Sequence, residues 1–142
     1  MNARWLSLLW IILLAPCATA APEMKPSDTK MKEALHAVIT GQLAAFRADD
    51  FAGAYAFADP QIKEQFPLEA FERMVRTAYP AIAKSVSASF GLTFDNGDEA
   101  VVEVHVTGAD GKPLAYHYLL RRDGERWRIS GVFAAEKQGI EV

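Results

Sequence analysis

The chain has 142 residues, with 15 Lys plus Arg, 18 Asp plus Glu and a single cysteine. That length accommodates one domain, and the mildly acidic balance, a formal net charge of −3, argues against nucleic acid as a partner. The lone Cys17 excludes an internal disulfide framework.

Residues 1–20 read as a cleaved signal peptide. Arg4 is a short positive region, Trp5 to Ala15 is an apolar run, and Ala18-Thr19-Ala20 is a small-residue cleavage site. The run is too short for a bilayer, which takes about 20 apolar residues. An uncleaved anchor lacks that length. A lipoprotein modified at Cys17 would have Pro16 where a small residue normally sits. The expectation is export to the periplasm or the medium, with no membrane contact after cleavage. Removing Arg4 leaves 14 basic residues against 18 acidic ones. The mature chain then has no thiol chemistry and no cysteine metal site, and a hydrophobic core alone suffices for its stability.

Residues 21–27 hold Pro22 and Pro26 without any period and are expected to form a flexible linker. The domain is expected over 28–136, with a tail at 137–142. From Asp28 the pattern is helical. Met31, Leu35, Val38, Ile39, Leu43 and Phe46 form one stripe, and Ser27 or Asp28 caps its start. Gly41 weakens this helix by about 1 kcal/mol relative to alanine, which suggests a close neighbour there. Asp49-Asp50 breaks the run and caps a short helix through Phe51, Tyr55 and Phe57. Asp59-Pro60 restarts a turn, and Pro67 opens a further helix carrying Leu68, Phe71, Met74 and Val75 that Pro80 ends.

From Lys84 to Ala135 the period changes to two. Asn96-Gly97, Asp110-Gly111 and Asp123-Gly124 mark three turns, so four antiparallel strands are expected. One face takes Val86, Leu92, the Val102-Val104-Val106 series, Leu114, Tyr116, Tyr118, Trp127, Ile129 and Phe133. The other takes Ser85, Glu103, His105, His117, Arg121, Arg126 and Arg128. Matching faces across the turns pairs Leu92 with Val102, Val104 with Tyr118 and Leu120 with Trp127, and sets His105 directly opposite His117. A sheet that is apolar on one face needs a cover, which the helices supply. The class is α+β.

The segments Gln42-Leu43-x-x-Phe46, Ala54-Tyr55-x-Phe57-Ala58-x-Pro60, Met74-Val75-Arg76-x-x-Tyr79-Pro80 and Asp123-Gly124-x-x-Trp127-Arg128-Ile129 resemble an uncharacterised bacterial family of exported proteins. That family has a nuclear transport factor 2-like, or cystatin-like, fold and a domain of unknown function. The resemblance covers roughly Ala34 to Ala134. It implies a cone of about three N-terminal helices on a curved four-stranded meander, and it supplies no catalytic residues. The fold hosts isomerases, dehydratases, hydrolases and binding modules, so it does not settle function.

No Ser-His-Asp order with a nucleophile elbow, no helical HExxH and no glycine-rich phosphate loop occurs. The expected inward face holds no acid, histidine, lysine or arginine, and only Tyr116 and Tyr118 bring a proton donor to it. The reading that follows is a non-catalytic binding module without cofactor or metal. The alternative is an isomerase- or hydrolase-type enzyme using helix-borne groups such as His36, Asp59 or Glu72 beside a tyrosine. Tyr55, Phe57, Tyr79, Tyr116, Tyr118 and Trp127 form an aromatic set that lines a pocket for an apolar small molecule, unless it is ordinary core packing. His105 and His117 share a face with Arg121, Arg126 and Arg128. That face is either solvated or an anion patch or interface for a homodimer or protein partner. Two histidines alone do not make a metal site.

Overall fold

The computed structural model describes residues 22–135. The signal segment, its cleavage site and the tail at 137–142 lie outside them. Helix α1 (Thr29–Arg47) begins where Asp28 accepts a hydrogen bond from the Met31 N–H at 2.8 Å, closing one of the free donors of the first turn. Its stripe of Leu35, Ile39, Leu43 and Phe46 is buried. Gly41 does have a close neighbour, because a Cβ there would sit 2.7 Å from the Phe57 ring tip.

Asp49, in the left-handed region at φ 55°, turns the chain out of α1. Asp50 then caps α2 (Phe51–Tyr55) and Asp59 caps α3 (Pro60–Gln65) through the Ile62 N–H. Pro67 precedes α4 (Leu68–Ala78). Pro80 ends α4 as expected but also starts one more turn, α5 (Pro80–Ala83), since a proline at the first helical position loses no hydrogen bond. The described residues therefore hold five helices, where the sequence suggested about three.

The sheet has five strands in the order β1 (Lys25–Pro26), β2 (Ser87–Asp95), β3 (Glu99–Thr107), β4 (Pro113–Asp123) and β5 (Arg126–Ala134), all antiparallel neighbours. The fifth strand comes from the stretch expected to be a linker. Lys25 and Pro26 pair with Asp95 and Phe94, the Ser27 N–H donates to the Thr93 carbonyl at 2.9 Å, and the Ser27 hydroxyl donates to Asp95. A proline is tolerated on this strand because it lies at the sheet edge.

Register differs from expectation in three places. Between β3 and β4 the loop is five residues long, from Gly108 to Lys112, so Val104 faces Tyr116 and Val102 faces Tyr118. His105 then pairs with Ala115 and His117 with Glu103, and the two histidines are not directly opposed. The last turn is Gly124-Glu125, with Gly124 at φ 63°, which sets Leu120 against Ile129 and Arg122 against Trp127. Both slips move a partner by two residues, so side chains keep their faces.

The third difference is a bulge between Phe90 and Thr93. It inserts a residue and reverses parity beyond it. Thr93 therefore takes the inward place opposite Val102, and Leu92 is expelled to 66% exposure. Burial also departs from expectation at Ser85, which is buried, and at Val86, Leu114 and Phe133, which are exposed, although Leu114 keeps its face opposite Val106. Phe133 pairs with His117 on the outer face because β5 carries a second bulge after Ile129. No described helix is long and apolar enough to cross a membrane.

Candidate functional site

The second bulge decides where the domain has a hollow. Up to Ile129 the free edge of β5 is covered. The Ile129 N–H donates to the Phe57 carbonyl at 2.8 Å and the Asp59 N–H donates to the Ile129 carbonyl at 2.9 Å, so residues 57–59 lie along the edge like a short parallel strand. From Ser130 onward that cover stops. The helices stand off, and a cavity of about 390 Å³ opens between α3, α4 and β5, within the size range of small-molecule sites.

Its walls are apolar. Phe46, Ile62, Phe66, Phe71, Met74 and Val75 come from the helices, and Ile129 and Val132 from the sheet. Phe46 and Phe71 stack at 6.0 Å, which fixes the helical wall. Polar groups are few. Gln42, 4% exposed, donates to the Ala54 carbonyl at 3.2 Å. The Tyr79 hydroxyl donates to the Val132 carbonyl at 2.9 Å, satisfying an acceptor on the uncovered strand edge. No lysine, arginine, histidine, aspartate or glutamate lines the cavity among the described residues.

Tyr118 forms part of the same wall. It is 0% exposed, and its hydroxyl has no hydrogen-bond partner among the described residues. Burial pushes its pKa far above the ordinary phenol value, and the neighbouring phenols of Tyr116 and Tyr79 add to the shift. The hydroxyl thus stays protonated and available as a donor. A buried donor without a partner costs about 1–3 kcal/mol.

The other aromatic residues of the expected set lie around the cavity without lining it. The Tyr55 hydroxyl donates to the Phe66 carbonyl at 2.6 Å and so ties α2 to the end of α3. Phe57 covers Gly41. Tyr116 packs on Tyr79 at 6.2 Å, and Trp127 lies under Arg122 at 5.0 Å. Only Tyr79 and Tyr118 of the six are brought together in the wall. Ile62, Phe66, Phe71, Met74 and Val75 were absent from the expected pocket, although their helical spacing was visible. What the sequence did not show was that their stripe faces a gap.

The arginines of the outer face are largely engaged. Arg121 donates to Asp59 at 3.1 Å and to Gln61 at 3.0 Å, and Arg128 donates to the Ala56 carbonyl at 2.8 Å. Both hold the 56–61 segment in place. Arg126 and His117 are exposed, and His105 pairs with Glu103 at 2.7 Å. No group of three or more possible metal ligands occurs among the described residues.

The helix-borne groups weighed for catalysis are placed elsewhere. Glu72 pairs with Arg76 on the surface, and Asp59 is committed to Arg121 and the α3 cap. His36 stacks on Phe90 at 4.0 Å and shares a hydrogen bond with Thr93 at 3.0 Å, at the polar spot the first bulge creates. Burial, with Lys32 adding repulsion, holds its pKa below the ordinary value. The folded state therefore favours the neutral ring. Its contribution is complete above about pH 6.5 and is lost as pH falls through the lowered folded-state value. In urea titrations across pH 7 to 5, stability is expected to drop on the acid side, and His36→Gln is expected to flatten that drop.

A family model described as a domain of unknown function (DUF4864) matches residues 28–142. Neither the curated proteins nor the solved structures yield a match.

Proposed function

The chain belongs to the DUF4864 family of domains of unknown function, and we propose that it is a non-catalytic binding module that takes an apolar small molecule into the cavity between α4 and β5. The observation that carries this reading is an apolar-walled hollow of about 390 Å³, with no charged side chain among its described lining residues and with Tyr118, whose hydroxyl has no partner among the described residues, in its wall. A structural core of this size normally closes such a gap, since voids forfeit dispersion contacts. General acid–base catalysis needs a titratable group within about 3 Å of the reacting atoms, and none of the described lining residues supplies a carboxylate or an imidazole.

Two further parts of the proposal rest on the sequence. The helices-then-meander order supports a nuclear transport factor 2-like cone, in which the region between helices and sheet is the natural ligand site. The apolar run and small-residue motif of residues 1–20 support export of a bacterial protein, which would place the domain among extracytoplasmic ligands. The test is a titration with the neutral apolar dye Nile red. The expected result is saturable binding of one dye per chain, abolished by Met74→Trp, which fills the cavity. Equal dye uptake by the variant would remove the cavity from the proposal.

A further inference from the structure

Resting on the ligand-binding reading of this cavity, we infer that its ligand is neutral and carries an oxygen acceptor, such as a ketone, ester or amide carbonyl, that Tyr118 addresses. Two independent features lead there. The first is charge. With no cationic side chain among the described lining residues, a carboxylate would enter without a counter-charge, and an ammonium would find no carboxylate. Burying either unpaired is strongly unfavourable.

The second feature is the donor. The Tyr118 hydroxyl is buried and has no partner among the described residues, while its wall neighbour Tyr79 already donates to the Val132 carbonyl. Of the two phenols in the wall, Tyr118 is therefore the one with a proton to give. The hydroxyl is a poor target for an anion, because an anion there would find no cation beside it. It is a good target for a carbonyl oxygen, which gains a hydrogen bond in a medium where the bond is electrostatically strong. A purely hydrocarbon ligand would leave the donor unpaired.

The Tyr118 hydroxyl is buried. Contact therefore requires a wall side chain to turn aside. Met74 lines the same cavity, and an unbranched thioether turns with little strain. The cavity is thus built to admit a shape first and then to sort by polarity. A ligand that matches both features would be retained over a hydrocarbon of the same size by the one hydrogen bond.

Three probes of similar shape separate these features: butylbenzene, benzylacetone and phenylbutyrate. They share a phenyl ring on a short chain and differ in having no acceptor, a carbonyl or a carboxylate. Calorimetric titration of the full-length chain at neutral pH is expected to give benzylacetone about tenfold tighter than butylbenzene, with phenylbutyrate the weakest of the three. In Tyr118→Phe the tenfold difference is expected to vanish while butylbenzene affinity stays within twofold. Equal affinities for benzylacetone and butylbenzene in the unmodified chain would overturn the inference and leave the cavity reading intact. Tightest binding by phenylbutyrate would overturn the inference as well. Absence of binding by all three, with no Nile red uptake, would instead remove the cavity reading on which it rests.

Discussion

Asp59→Ala is expected to destabilise the domain by about 2–3 kcal/mol in chemical denaturation. Asp59 is 2% exposed, and each of its carboxylate oxygens has a task. One accepts the Ile62 N–H at 3.0 Å, capping α3, a contact worth about 1 kcal/mol. The other accepts from Arg121 at 3.1 Å. Arg121 is 43% exposed at its side chain, so solvent screening reduces the pair itself to about 1 kcal/mol. The remainder comes from the small void left beneath the 57–59 segment. That segment covers β5 up to the point where the cavity begins, so loosening it should also weaken ligand binding.

Arg121→Ala tests the same contact from the other side. It leaves a buried carboxylate with its cap bond alone, an arrangement that is unfavourable out of proportion to the bond lost. Asp59→Asn keeps a capping oxygen and removes the charge, and is expected to fall between wild type and Asp59→Ala. If Asp59→Ala were neutral, the segment would be held by its backbone bonds to Ile129 and by the Arg121–Gln61 and Arg128–Ala56 contacts, and the Asp59–Arg121 pair would contribute nothing to it.

Tyr118→Phe is expected to act in the opposite direction and to stabilise the ligand-free domain by about 1 kcal/mol. Deleting an unpaired buried hydroxyl removes a desolvation penalty while leaving the ring in place. A core tyrosine with a satisfied hydroxyl would behave otherwise, losing about the same amount. The alkaline limb gives a second readout. Burial raises the Tyr118 pKa above its unfolded-state value near 10. The stability tied to the protonated form is therefore complete below about pH 10 and lost as pH rises toward the folded-state value. Unfolding monitored from pH 9 to 12 should show a steeper alkaline loss in the unmodified chain than in Tyr118→Phe. A variant that gains stability and loses carbonyl selectivity together would mark Tyr118 as retained for binding rather than for packing.

Much of the fold was legible because two periods are hard to confuse. The stripe from Leu35 to Phe46 has helical spacing and is buried as read. The Val102-Val104-Val106 series is buried together with Tyr116 and Tyr118, because pairing slips of two residues do not exchange faces. The two reversals of strand parity lie at the two bulges. Neither Gly91-Leu92 nor Ser130 announces an inserted residue in a single sequence, yet each reverses parity beyond it. Leu92 and Phe133 were assigned inward for that reason and lie 66% and 58% exposed. The site was legible only in its chemistry. Tyr118 in an uncharged apolar setting could be read from strand alternation, whereas Tyr116, read inward with it, does not line the cavity. The helical lining residues could not be so read, because the cavity exists where the cover supplied by residues 57–59 ends, a property of register and not of composition.

The most direct measurement is a crystal structure of the chain with benzylacetone bound. The expected result is density for the ligand between Met74 and Val132, with its carbonyl oxygen within hydrogen-bonding distance of the Tyr118 hydroxyl. Density confined to the outer face of the sheet, or helices α3 and α4 closed onto β5 with no space beside Tyr118, would contradict it.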